Sequence, residues 1–147
     1  MLGNFVYSNP TRLYFGENAL DSLGGELAHY GKTVMLVYGG GSIKKNGIYD
    51  RVVEILKSAG KEIVEDGGVM PNPTVDKLYE GCRRAKEGNV DLILAVGGGS
   101  VMDCCKAVSL AARYEGDVWE DFWAHPGVIE VEPVPLGVIV TAAGTGS

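Results

Sequence analysis

The 147-residue sequence has few of the residues that build disulfide frameworks or metal centres. It contains three cysteines and two histidines, and neither His29 nor His125 belongs to a cluster with metal-ligand spacing. An odd number of cysteines, without a secretory signal, favours reduced thiols. Cys104 and Cys105 are adjacent in a predicted helix, so their side chains diverge and are predicted to be packing residues. We therefore predict no metal site and no catalytic residue within this sequence, and a cytoplasmic location.

The sequence also lacks a basic stripe and an apolar run of membrane-spanning length. Thirteen Lys and Arg residues are scattered among nineteen Asp and Glu residues, for a net charge of −6, whereas duplex-binding domains carry clustered basic residues. No run approaches the roughly 20 apolar residues of a membrane helix. We therefore expect neither nucleic acid nor a membrane as a partner. A hydrophobic content of 46% with 22% charged residues is typical of one globular domain, which we place at residues 1–147.

The sequence does have a regular alternation of short apolar runs and amphipathic stretches. Apolar runs predict strands at residues 33–38, 62–65, 91–96 and 134–140, and helical spacing predicts helices at residues 17–30, 49–58, 74–88 and 101–114. Residues 5–15, around the turn signal Ser8-Asn-Pro-Thr11, predict an N-terminal β-hairpin. Apolar strands alternating with helices predict an α/β fold, Rossmann-like and doubly wound, with a mainly parallel sheet. Because the sequence ends on a glycine-rich turn directly after a strand, we expect it to be a fragment of a longer chain.

The strongest local signal is a glycine run that follows a predicted strand and opens a helix: Gly97, Gly98, Gly99 and Ser100. Glycines let a backbone approach a pyrophosphate, and the free amides of a helix N-terminus face the anion. The spacing is neither G-x-G-x-x-G nor the Walker pattern. A tight turn that uses glycine for positive φ is the alternative. We favour phosphate binding, since such a turn rarely needs three consecutive glycines.

The same device occurs one unit earlier, at Gly39, Gly40, Gly41 and Ser42, and a third polar run at residues 141–147 follows the last strand. These segments are expected to converge on one crevice at the carboxyl ends of the strands. Asp103 lies one turn beyond Ser100 and could accept a hydrogen bond from a ligand. A first-turn acid favoured by the helix dipole is the alternative for Asp103.

Together these segments resemble the iron-dependent (group III) alcohol dehydrogenase family, and most closely its butanol dehydrogenase branch. The resemblance spans essentially the whole chain. Its motifs are residues 5–11 (FVYSNPT), 14–16 (YFG), 37–50 (VYGGGSIKKNGIYD), 71–73 (PNP), 96–106 and 141–147.

The resemblance implies an N-terminal α/β cofactor domain and a C-terminal helical domain whose metal ligands, an Asp and three His, lie beyond Ser147. It implies that Gly97, Gly98, Gly99 and Ser100 hold the pyrophosphate of NAD or NADP. By the same resemblance, the residues of the nicotinamide side are Asp103, Thr141, Thr145 and Ser147, and those of the adenosine side are Gly39, Gly40, Gly41, Ser42 and Asn72.

The function implied is hydride transfer between a nicotinamide and a primary alcohol or aldehyde, with iron or zinc bound only in the full-length enzyme, a homodimer. The fragment itself is expected to be inactive. The first loop carries no acid, and Ser42, Lys44 and Lys45 lie near it, so the sequence leans slightly to NADP. Two alternatives remain open: a cofactor domain like that of glycerol dehydrogenase or dehydroquinate synthase, or a nucleotide-binding module without catalysis.

Overall fold

A computed structural model of the chain describes residues 3–125, 127 and 130–144. Four strands and five α-helices of four residues or more occur in this part of the chain. In chain order they are α1 (Leu23–Leu27), β1 (Thr33–Tyr38), α2 (Ser42–Lys45), α3 (Ile48–Ser58), β2 (Glu62–Asp66), α4 (Val75–Glu87), β3 (Leu92–Gly97), α5 (Gly99–Ala111) and β4 (Leu136–Val140). A 3₁₀ turn (Ala19–Ser22) precedes α1, and a π-helical turn (Glu120–Ala124) follows α5.

The four strands form one parallel sheet in the order β2-β1-β3-β4. The central strands are the most apolar: every residue of β3 is buried, as is every residue of β1 after Thr33. Strands of this composition need cover on both faces. The predicted α/β fold with a parallel sheet is confirmed.

Alternate residues of the central strands divide the core into two layers. Val34, Leu36 and Tyr38 of β1 point to the face covered by α1, α2 and α3. Met35 and Val37 point to the opposite face, against α4 and α5. Successive side chains of a strand point to opposite faces of the sheet. Helices therefore cover both faces, which is the doubly wound arrangement.

The course of the chain places a crevice between β1 and β3. After β1 the chain passes through α2 and α3 on one face to the edge strand β2, and then returns through α4 to β3 on the other side of β1. Helices that follow β1 and β3 therefore lie on opposite faces of the sheet. In open α/β sheets a ligand crevice forms at such a reversal, outside the carboxyl ends of the strands.

The predicted N-terminal hairpin is wrong, because residues 3–15 contain no strand. Asn9 does form the expected local turn, with its Oδ1 accepting from the amide of Thr11 at 2.9 Å. However, Phe5, Val6 and Phe15 are 77%, 96% and 98% exposed. An isolated two-stranded hairpin without a packed face is marginal in water, so the turn signal alone does not produce strands.

The helix predicted at residues 17–30 is shorter in the structure, because its regular part is interrupted by Gly24 and Gly25 after a 3₁₀ turn. The helix predicted to begin at 101 begins at Gly99. Thr74 is confirmed as the N-cap of α4, since its side chain accepts from the amide of Lys77. None of the helices in the described ranges has the length and apolar character needed to cross a bilayer.

Candidate functional site

In the second glycine loop (residues 97–100), only one residue separates the strand from the helix that follows. β3 ends at Gly97, α5 begins at Gly99, and Gly98 is the N-cap, with φ −95° and ψ −164°. The amide of Met102 donates to the carbonyl of Gly98 at 3.1 Å and closes the first turn. The amides of the three residues before Met102, from Gly99 to Val101, have no carbonyl within the helix to bind, so they are available at the carboxyl edge of the sheet.

The first glycine loop (residues 39–42) is longer and more open. Gly39 follows β1, Gly41 has φ +114°, and Ser42 begins the four-residue helix α2. Gly40 and Ser42 are exposed.

The two loops meet at Val101, a residue that the sequence did not single out. Its Cγ2 lies 2.7 Å from the position that a Cβ on Gly97 would take and 3.8 Å from that of a Cβ on Gly39. Val101 is buried in the first turn of α5 and forms the floor between the loops. The only sequence signal for this role is its apolar type directly after a glycine run.

The structure separates glycines that the fold requires from glycines that it does not. A Cβ on Gly97 would overlap Val101, and Gly41 has positive φ. A Cβ on Gly39 would lie 3.4 Å from the carbonyl of Val69, which is an ordinary contact. Gly40 and Gly98 also have neither reason to be glycine. A Cβ on Gly40 would meet nothing within 4 Å, and one on Gly98 would make ordinary contacts of 3.7 Å with Ala142. The alternative that glycine at 98 serves positive φ is therefore wrong.

Residues from other elements come close to the second loop. The amide of Asn72, whose φ is +51°, donates to Ser100 Oγ at 3.4 Å. The amide of Thr141, just after β4, donates to the carbonyl of Gly97 at 3.0 Å. The structure thus brings together Asn72, Ser100 and Thr141, while Thr145 and Ser147 lie outside the described residues.

Asp103 lies on the exposed side of α5, with its side chain 55% exposed and an oxygen 3.8 Å from Lys106 Nζ. Because α5 begins at Gly99, Asp103 belongs to the second turn, and the first turn has no acid. The alternative of a first-turn acid favoured by the helix dipole is therefore wrong.

A group of charged and aromatic side chains lies beside the first glycine loop. The hydroxyl of Tyr38 donates to Glu65 Oε2 at 2.9 Å, and the hydroxyl of Tyr49 donates to Glu65 Oε1. The Lys44 ammonium lies 4.9 Å and 4.6 Å from the ring centroids of the two tyrosines. These contacts, the Tyr49 hydrogen bond foremost, lower the pKa of Glu65, and the same hydrogen bond raises the pKa of Tyr49 to about 12. The carboxylate of Glu65 is thus engaged by two phenols, whereas Lys44 is exposed.

The thiols carry no reactive signature. Burial raises the pKa of Cys82 to about 11 and raises the pKa of Cys105 further, and a neutral buried thiol is a poor nucleophile and ligand. In the described part of the chain, no three His, Cys, Asp or Glu side chains come together as a metal site.

Two surface concavities lie away from the crevice. One of about 700 Å³ lies between α1 and α3 and includes Asp21 and Arg51; another of about 430 Å³ lies along α4 near Tyr79 and Tyr114. Neither includes a residue of the two glycine loops.

The sequence pattern of the iron-containing alcohol dehydrogenases matches residues 10–147. The chain belongs to this family. A probable NADH-dependent butanol dehydrogenase of Bacillus subtilis is 47% identical over 144 residues, which are 98% of this chain and 36% of that protein. An NADPH-dependent aldehyde reductase of Escherichia coli is 38% identical over 149 residues, covering 99% of this chain and 37% of that protein.

A solved structure shares the fold closely. The NADH-dependent butanol dehydrogenase A of Thermotoga maritima superposes with a TM-score of 0.89 at 46% identity, covering 97% of this chain and 36% of that one. The family resemblance inferred from the motifs is therefore confirmed. The chain spans little more than a third of the length of these relatives.

Proposed function

We propose that residues 1–147 form the NAD(P)-binding domain of a longer, metal-dependent alcohol or aldehyde dehydrogenase of the butanol type. The observation that carries the proposal is the pair Gly40 and Gly98, which lie in the two loops on either side of the crevice and which the fold itself does not require to be glycine. A backbone that lacks side chains at positions where the fold does not need glycine is consistent with the close approach of a ligand.

The second glycine loop is proposed to hold the pyrophosphate. Its glycines allow approach to the backbone, and the free amides of Gly99 and the next residues point a partial positive charge at the anion. The Ser100 hydroxyl is a further donor beside Asn72. Thr141, Thr145, Ser147 and Asp103 are proposed to line the nicotinamide side, and the first glycine loop with Asn72 the adenosine side.

A bound nicotinamide supplies the hydride acceptor or donor for an alcohol–aldehyde pair. The relatives named as butanol dehydrogenases and an aldehyde reductase support this substrate class for the whole protein. The described residues offer no ligand set for the iron in the family's name, so no step is assigned to a metal in this chain. A cytoplasmic homodimer is proposed for the whole protein.

For the choice of cofactor, we propose that the crevice accepts both dinucleotides with a small preference for NADP. Residues 39–42 include no carboxylate, Gly40 leaves open space, and Lys44 supplies a cation nearby. Relatives named as NADH-dependent and as NADPH-dependent share this region, which agrees with a loop that tolerates either.

The proposal can be tested by amide NMR titration of the 147-residue chain. Inorganic pyrophosphate, NADH and NADPH should each shift the amides of Gly98, Gly99 and Ser100, and only the dinucleotides should also shift the first glycine loop. Adenosine, which has no phosphate, should leave residues 98–100 unchanged.

A matched pair of substitutions sharpens the test. Gly98→Ala should keep the fold and weaken binding of both dinucleotides, whereas Gly25→Ala should keep both fold and binding. Gly25 is also free of close neighbours but lies in α1, away from the crevice. No shift at residues 97–100 with any of the three phosphate compounds would overturn the proposed function.

A further inference from the structure

A buried ion pair between β2 and α4 lies next to the segment that contacts the first glycine loop. Asp66 is the last residue of β2 and Lys77 lies in the first turn of α4; the Oδ1–Nζ distance is 2.6 Å, and the side chains are 1% and 4% exposed. In ordinary dinucleotide folds an acid near the end of the second strand binds the adenosine ribose. Here that carboxylate is turned into the protein, so the pair has another role.

The position of the Lys77 ammonium, buried at the start of a helix, is electrostatically unfavourable without compensating contacts. A cation in the first turn of a helix opposes the helix dipole, and burial lowers the pKa of a lysine. Hydrogen bonds and charge from Asp66, and then from Glu80, outweigh that burial, so the pKa of Lys77 is raised. The ammonium donates to Asp66, to the carbonyl of Gly67 at 3.0 Å and to Glu80 at 3.2 Å, which uses all three of its N–H groups.

The segment that Lys77 holds reaches the first glycine loop directly. The amide of Gly68 donates to the carbonyl of Gly39 at 3.2 Å, and the amide of Val69 donates to the carbonyl of Tyr38 at 3.1 Å. The carbonyl of Val69 then lies against Gly39, 3.4 Å from the position of a Cβ there. Three residues therefore connect the buried ammonium to the loop.

We propose that Lys77 is a positioning residue: paired with Asp66, it fixes residues 67–69, which in turn set the shape of the first glycine loop on the adenosine side of the crevice. A buried ion pair is often no more stabilising than apolar groups of the same volume. Its directional hydrogen bonds, especially the one to the Gly67 carbonyl, are what an apolar pair cannot supply. The part that concerns the cofactor rests on the proposed function.

The test uses the double variant Asp66→Asn/Lys77→Met, because Lys77→Met alone leaves the buried Asp66 carboxylate with only the more distant Arg84 guanidinium, at 3.5 Å, and is expected to destabilise the chain strongly. In the double variant, without any ligand, hydrogen exchange at the amides of Gly68 and Val69 should become roughly two- to tenfold faster, as expected for the loss of about one hydrogen bond of local stability. The amide shifts of Gly39 and Gly40 should move as well. Val34→Ala is the matched control, since Val34 is fully buried at the other end of β1. It should lower global stability without a selective change at these four amides.

The second measurement is dinucleotide binding by the same variants. The double variant should lose affinity for NADPH and NADH at the adenosine side while pyrophosphate still shifts residues 98–100. Wild-type exchange and wild-type shifts at residues 39, 40, 68 and 69 in a folded double variant would overturn the proposal, as would faster exchange combined with unchanged dinucleotide affinity. If the wild-type chain binds no dinucleotide, the proposed function fails, and the ligand-free exchange still decides whether Lys77 holds the loop.

Discussion

The two glycine loops have nearly the same sequence and different construction. The second loop is one residue between a fully buried strand and a 13-residue helix, whereas the first leads into a four-residue helix with exposed lysines. Gly97 is packed against Val101 of the helix that follows it, α5, whereas Gly40 faces open space. The comparison supports the proposal that the loop after β3 is a rigid anion site and that the loop after β1 is a permissive site where cofactor choice can vary.

The largest effect is expected at the rigid loop. Gly98→Val should retain the fold, because φ −95° and ψ −164° suit a β-branched residue, and should weaken binding of both dinucleotides by roughly tenfold to more than a hundredfold. That range corresponds to the loss of a charge-assisted hydrogen bond worth about 1.5–3 kcal/mol. Calorimetric titration with NADH and NADPH measures it, with circular dichroism as the control for folding. Unchanged affinity in a folded variant would contradict the close approach of a ligand to this glycine.

The permissive loop should discriminate between the cofactors. Gly40→Asp places a carboxylate where a 2′-phosphate is expected and should lower NADPH affinity by roughly five-fold to several hundred-fold, since like charges at ~4 Å cost about 1 kcal/mol in water and about 4 kcal/mol at an effective dielectric of 20. NADH affinity should stay constant or increase. The ratio of the two dissociation constants at fixed salt is the readout.

Gly40→Asn is the uncharged control for that ratio. Gly39 is the poorer site, because a Cβ there would already contact the Val69 carbonyl at 3.4 Å, whereas Gly40 faces open space. Equal losses for NADH and NADPH in Gly40→Asp would show loop damage in place of charge repulsion.

A third substitution separates packing from ligand approach. Gly97→Ala puts a Cβ 2.7 Å from Val101 Cγ2 and should cost about 1–3 kcal/mol in the free energy of unfolding, as overpacked cores do. Gly40→Ala should leave that free energy within about 0.5 kcal/mol of the wild type. Urea denaturation of both variants measures the difference, and equal stabilities would contradict the division between the two loops.

The smallest effect concerns the charges beside the permissive loop. Because the folded-state pKa of Glu65 is lowered, its contribution to stability is present above the unfolded pKa and is lost as pH falls through the lower folded value. Glu65→Gln should therefore cost up to about 1 kcal/mol at neutral pH, a small figure because the group is exposed, and nothing once the carboxyl is protonated. Urea denaturation at neutral and at acid pH gives the two values.

The Tyr49→Phe background tests the cause of that effect. If the Tyr49 hydrogen bond is the main source of the lowered pKa, the cost of Glu65→Gln should be smaller in Tyr49→Phe than in the wild type. The same cost in both backgrounds would assign the shift to another neighbour.

The local pattern of the sequence was sufficient for most of the fold. The predicted strand at residues 33–38 is β1, and the other three strands and the helices α3 and α4 agree within two residues at each end. Apolar runs and amphipathic periodicity report burial on one or two faces, which is a property of neighbouring residues. The same reasoning was wrong for residues 5–15, where a turn signal and apolar residues predicted a hairpin that has no packed face.

Order along the chain, apolar spacing and the type of residue after each strand therefore determined the fold class, the edge of the sheet that carries the crevice and the family. Only the tertiary structure decided which glycines the fold requires, that Val101 lies under both loops, and that Asp66 turns inward to Lys77. Contacts of this kind join residues on different elements, and their distances depend on how β1, β2, α4 and α5 pack. No pattern of neighbours in the sequence contains those distances, because packing sets them after the elements have formed.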